Sequence, residues 1–131
     1  MTDAAILCVD DEVSVLRSLE IELREAFQDA YYYEFAESAD EALEVLDELQ
    51  GDDVQILIIV SDWLMPGIKG DEFLIKVHQK FPKIIKVMLT GQADEEAIER
   101  AQKEANLYRC LRKPWKNQEL ISTIQAALDS V

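Results

Sequence analysis

The stretch Val54-Gln55-Ile56-Leu57-Ile58-Ile59-Val60 runs straight into Ser61-Asp62-Trp63-Leu64-Met65-Pro66-Gly67. A short, nearly continuous apolar run followed by a Pro-Gly turn is what a strand buried on both faces requires. Similar runs recur at fairly even intervals: Ala4 to Val9, Tyr31 to Ala36, Ile84 to Leu89 and Tyr108 to Leu111. Between and after them, apolar residues fall at helical spacing. Leu16, Leu19, Leu23 and Phe27 mark the first helix, and Ser38 with Glu41 forms a capping box that opens the second. The second continues through Ala39, Ala42, Leu43 and Leu46 and stops at Gly51. Phe73, Leu74, Val77 and Phe81 mark the third, which Pro82 must end. Ala97, Ile98, Ala101 and Ala105 mark the fourth, and Leu120, Ile121, Ile124 and Leu128 the fifth. Strict strand-helix alternation with apolar strands predicts an α/β fold, a doubly wound parallel sheet of five strands covered on both faces by five helices.

The 131 residues suffice for one core, and no linker, low-complexity tract or repeat interrupts them, so a single domain over 1–131 is expected. Thirteen basic against twenty-seven acidic side chains leave a net charge of -14. Direct, nonspecific binding to nucleic acid or to an anionic membrane surface is not expected, because both depend on basic patches. No apolar run approaches the roughly 18 residues of a spanning helix, and no basic-then-apolar leader opens the chain. A cytoplasmic domain is expected. Cys8 and Cys110 stand far apart in predicted strands, without Cys-x-x-Cys spacing, and read as two buried thiols.

In a sheet of this kind, ligands gather at the carboxyl ends of the strands. Strand one runs into Asp10, Asp11 and Glu12, strand three into Asp62, strand four into Thr90 and strand five into Lys113-Pro114. Adjacent carboxylates near a third repel one another and need positive charge. Lys113 supplies one such charge, and a hard cation such as Mg²⁺, which prefers oxygen ligands, would supply the rest. Each residue also has a plain structural reading. The acidic trio suits a helix N-terminus, Asp62 a turn, Thr90 a strand-end cap and Lys113 the surface. Their joint occurrence at separate strand ends of one sheet is what favours a site.

These motifs, in this order and spacing, resemble the receiver domain of bacterial response regulators over essentially the whole chain. The resemblance implies the flavodoxin-like strand order 2-1-3-4-5. It implies that Asp62, in Ser61-Asp62-Trp63-Leu64-Met65-Pro66-Gly67, is the phospho-accepting aspartate. Asp11, Asp62 and the backbone carbonyl of Leu64 would hold Mg²⁺, with Asp10 acting mainly through ordered water. Thr90 and the Gly91 amide would donate to the phosphoryl oxygens, Lys113 would neutralise them, and the Lys113-Pro114 bond is commonly cis in the family. The implied partners are a sensor histidine kinase or a histidine phosphotransfer protein, and an effector that is fused or separate. A dimer through helix four, strand five and helix five is allowed.

One position departs from the family pattern. Cys110 stands where the family usually carries an aromatic residue whose ring turns inward when the hydroxyl matching Thr90 moves. Cysteine has no ring to turn, so output through helix four, strand five and helix five should weaken and any shift should fall in the loop from Thr90 to Asp94 and around Trp115. Tyr108, two positions earlier, is the candidate substitute. Tyr31-Tyr32-Tyr33 reads as an edge strand with alternate rings inward, and His78 as a helix-surface residue. Two enzyme or binding readings compete. A haloacid-dehalogenase-type phosphatase expects an acid two residues after the nucleophile, where Leu64 stands. Flavin binding expects a phosphate loop where this chain has carboxylates. A degenerate receiver lacking phosphate chemistry is disfavoured because no acidic or basic site residue is missing, although Cys110 keeps it open for the output half of the mechanism.

Overall fold

The computed structural model describes residues 3–91 and 95–131. The strands β1 (Asp3–Val9), β2 (Tyr32–Ala36), β3 (Val54–Asp62), β4 (Ile85–Thr90) and β5 (Arg109–Arg112) pair in parallel in the order β2-β1-β3-β4-β5. The helices are α1 (Val13–Phe27), α2 (Ala39–Gly51), α3 (Gly70–Lys80), α4 (Glu95–Glu104) and α5 (Asn117–Asp129). A 3-10 turn over Gln28–Ala30, which the sequence pattern did not announce, joins α1 to β2.

Alternation along the strands divides the interior in two. Leu7 and Val9 of β1, Ile59 of β3 and Met88 of β4 pack with Leu46, Phe73, Val77 and Ala101 under α2, α3 and α4. Ile6, Cys8, Ile58, Val60, Val87 and Leu89 point the other way, to Leu19 and Leu23 of α1 and Leu120 and Ile124 of α5. Burying each large aliphatic side chain contributes roughly 1.5–3 kcal/mol relative to exposure, so the two layers hold the sheet from both sides.

The helix limits follow local chemistry. Ser38 Oγ accepts the Glu41 amide at 3.1 Å, as the capping box requires, but the Glu41 carboxylate reaches back to the Glu37 amide, at 3.3 Å, rather than to that of Ser38. Gly67 takes a left-handed φ of 83°, which turns the chain after Pro66. Gly70 opens α3 against the end of β3: a β-carbon there would stand 2.3 Å from the Asp62 carbonyl oxygen. Only glycine lets the helix start that close to the strand end.

Three expectations need correction. Cys8 is fully buried, but Cys110 is only half-buried, because β5 is an edge strand with a neighbour on one side. His78 is not simply on the helix surface: its Nδ1 lies 3.1 Å from Nζ of Lys86, a lysine buried inside β4. Tyr108 falls just outside β5 and is exposed. The tyrosine run behaves as expected, with Tyr31 and Tyr33 packed inward, Tyr32 outward, and the Tyr33 hydroxyl donating to the Gln28 carbonyl at 2.7 Å.

Candidate functional site

The chain leaves the sheet at the carboxyl ends of β1, β3, β4 and β5 within one open cleft of about 650 Å³, walled by Asp11, Asp62, Leu64, Met65, Gly91 and Lys113. Asp62 and Thr90 are the last residues of their strands, so main-chain pairing fixes both. Asp10 is fully buried; its backbone N–H donates to the Ala36 carbonyl at 3.1 Å, and its Oδ1 accepts the Glu12 amide at 2.8 Å. The Lys113 ammonium spans the cleft, 2.7 Å from Asp10 Oδ2 and 3.1 Å from Asp62 Oδ1. The Lys113 amide, which donates to the Thr90 carbonyl at 2.8 Å, fixes its backbone beside β4, and the Lys113-Pro114 bond is cis.

Electrostatics at this rim are unbalanced. Oxygens of Asp10, Asp11 and Asp62 come within 4.8 Å of one another, and among the described residues Lys113 is the one ammonium ion-paired with them. Burial first, then the Asp10 charge, pushes the Asp62 carboxyl up to about 6; Lys113 opposes the rise without cancelling it, and Asp11 adds to it. Burial pulls Lys113 down, but its hydrogen bond to Asp10 and the charges of Asp10 and Asp62 outweigh that and raise it. The site therefore holds more negative charge than its lysine offsets. That imbalance, together with an all-oxygen donor set open to solvent at Asp11, fits a hard divalent cation such as Mg²⁺.

Thr90 is buried at the end of β4, and Gly91 is exposed beside it on the cleft wall. Gln92, Ala93 and Asp94, the rest of the loop in which a response was expected, lie outside the described residues. Cys110 sits opposite Met88 in the β4–β5 register and packs against the layer under α3 and α4. Burial raises its thiol, opposed by Arg112. The structure thus brings Asp10, Asp11, Asp62, Leu64, Gly91 and Lys113 together, and leaves Tyr108 apart on the surface.

Three interactions were not read from the sequence. Asp71 is buried and accepts hydrogen bonds from Trp63 and Arg100. In the sequence it looked like one more acid in the first turn of a helix. Lys86 interrupts an otherwise apolar run and is buried inside β4. The Trp115 indole N–H donates to Glu22 at 3.1 Å, tying the segment after Lys113-Pro114 to α1.

A doubly wound parallel sheet with three carboxylates, a threonine and a lysine converging on its carboxyl rim defines the receiver class of signalling domain. The model of the response regulator receiver domain matches residues 6–125, and the chain belongs to that family. It is 33% identical over 127 residues to the hydrogenase transcriptional regulatory protein HoxA of Cupriavidus necator, covering 97% of this chain and 24% of that protein. The chain thus spans about a quarter of that relative's length. Among solved structures, it is similar to the signal receiver domain of an HD domain-containing protein from Pseudomonas fluorescens Pf-5. The TM-score is 0.86 at 30% identity, over 98% of this chain and 96% of that one. A CheY-like receiver domain protein from Methanospirillum hungatei JF-1 gives 0.85 at 27% identity, over 98% and 96%.

Proposed function

We propose that residues 1–131 form one receiver module that accepts a phosphoryl group on Asp62 and relays that event to an effector. The observation that carries this reading is the Lys113 ammonium lodged between Asp10 and Asp62 at the cleft, with Asp11 alongside. An Oδ of Asp62 forms the new bond to phosphorus as the bond from phosphorus to the donor's leaving atom breaks; with a phosphohistidine donor, the imidazole keeps the electron pair and takes up a proton. Lys113, with Thr90 and the Gly91 amide, balances the charge on the phosphoryl oxygens. Asp11, Asp62 and the Leu64 carbonyl would hold Mg²⁺, with Asp10 behind them. When bound, the ion supplies the positive charge that the carboxylates lack and shields the phosphoryl oxygens from them.

The donor is a sensor histidine kinase or a histidine phosphotransfer protein, the effector is fused or separate, and α4, β5 and α5 provide the face for a dimer. The module acts in the cytoplasm. Among the described residues no helix is long and apolar enough to cross a membrane. The chemistry is limited to self-phosphorylation and hydrolysis. A turnover phosphatase needs a general acid where this chain presents exposed Leu64. Because Cys110 has no ring, output through α4, β5 and α5 is weaker than the family pattern.

Incubation with a small phosphodonor and Mg²⁺ should add one phosphoryl group, labile to base and hydroxylamine and absent from Asp62→Asn by intact-mass measurement. Undiminished labelling in that variant, or labelling at His78, would sink the reading.

A further inference from the structure

Among the described residues, Asp71 is the one carboxylate buried outside the cleft. Its two oxygens are bound to two different parts of the molecule. Oδ1 accepts the Trp63 indole N–H at 3.1 Å, and Oδ2 accepts an Arg100 guanidinium N–H at 2.7 Å. Trp63 directly follows Asp62, and Arg100 projects from α4. A single carboxylate at the start of α3 therefore joins the residue beside the acceptor aspartate to the helix across the groove.

The parts of this clasp differ in how firmly they are held. Trp63 is buried; its amide donates to the Leu89 carbonyl at 3.0 Å and its carbonyl accepts from Gly70 at 2.7 Å. The close approach at Gly70 fixes Asp71 one residue further on, against the strand end. Arg100 is about half exposed, so its ion pair is the joint that water can replace most readily. Trp63 also begins the segment that carries the Leu64 carbonyl, so a change in that segment is felt first at the indole. With a rigid anchor at one end and a solvent-accessible joint at the other, the clasp has the features of a two-state contact.

We propose that Asp71 is a positioning residue through which α4 senses the state of Asp62, by way of Trp63 and Arg100 and without the side chain at position 110. The inference rests on the phospho-acceptor reading above and names a regulatory route for that same site. Phosphorylation shifts the segment beginning at Trp63, the indole changes its hold on Asp71, and the Asp71–Arg100 contact changes the seating of α4.

The test uses a Trp115→Phe background, so that the Trp63 indole N–H gives the one tryptophan indole resonance in the NMR spectrum. Beryllofluoride with Mg²⁺ serves as the phosphoryl mimic. In the otherwise native chain, the indole resonance and the backbone amides of α4 should both shift with saturation. In Arg100→Met the indole should still shift while the α4 response falls by about half or more, and Arg100→Lys should restore it. Arg100 is half exposed, so neither substitution threatens the core. A full α4 response in Arg100→Met, or a loss that Arg100→Lys fails to restore, overturns the clasp alone. No saturable response in the otherwise native chain overturns the phospho-acceptor reading, and the clasp with it.

Discussion

Two lysines on neighbouring segments of the sheet meet opposite fates. Lys113, at the carboxyl rim, is held between two carboxylates and stays firmly charged despite partial burial. Lys86, inside β4, is more deeply buried, and among the described residues its ammonium meets the Ile84 carbonyl at 2.7 Å and His78 Nδ1 at 3.1 Å. Burial alone pulls it down from 10.5 to about 8. The same loss of water acts on both, and the neighbouring charges decide the sign. The rim has a surplus of negative charge that calls for cations, whereas the layer under α3 and α4 holds a cation that, among the described residues, pairs with no carboxylate. The first pattern suits charge transfer chemistry, and the second is a local cost of the fold.

The largest expected effect separates the two by function. Lys113→Met removes the ammonium proposed to neutralise the phosphoryl oxygens and should slow phosphorylation by a small phosphodonor about 10²-fold or more, the usual scale for loss of a preorganised charge donor. Lys86→Met should leave that rate within about twofold of the native chain, since its partners among the described residues, Ile84 and His78, lie outside the cleft lining. Equal loss in both variants would break the comparison, and mass spectrometry of the acyl phosphate over time measures it. Next in size is a stability effect at the rim. With Mg²⁺ chelated, Asp62→Asn removes one carboxylate from a crowded set and should stabilise the fold by about 1–3 kcal/mol at pH 7, because Asp62 is then ionised against its preference. Urea denaturation in EDTA checks the sign. A destabilised variant would mean that the Lys113–Asp62 contact outweighs the repulsion.

How far the sequence could be read follows the same division. Apolar periodicity and Pro-Gly punctuation carried the strands and helices, because both report burial directly. The cleft residues were legible because each stands at a strand end, where a polar residue after an apolar run is conspicuous. What escaped depends on partners distant in the chain. Asp71 accepts from Arg100, twenty-nine residues on, and nothing local distinguishes it from exposed Glu72. The local pattern does not distinguish Cys110 from Cys8; the difference lies in the strand order, which puts β5 at an edge. Lys86 was absorbed into an apolar run, since one polar residue does not spoil a strand pattern and its side chain points under α3 and α4 with Met88 and not to solvent.

The smallest effect at neutral pH, and the one that isolates the buried lysine, is again Lys86→Met, now read by stability against pH. The native Lys86 lies near 8 and the unfolded one near 10.5. Below both values the unfolding reaction is insensitive to pH, and the folded state bears the full cost of a poorly compensated buried charge. Between about 8 and 10.5 the unfolded chain binds more protons than the folded one, so the native protein should gain stability as pH rises through that window. Methionine removes the buried charge but leaves the Ile84 carbonyl and His78 Nδ1 without their donor, a loss of about 1–3 kcal/mol that offsets the relief at pH 7. The variant should therefore match the native chain at pH 7 and fall behind it by about 1–3 kcal/mol at pH 10. Contributions common to both proteins cancel in the difference. Urea denaturation at the two pH values, at fixed ionic strength, reads the gap. Parallel behaviour from pH 7 to 10 would show that Lys86 keeps its proton in the fold, and the contrast with Lys113 would reduce to one of depth alone.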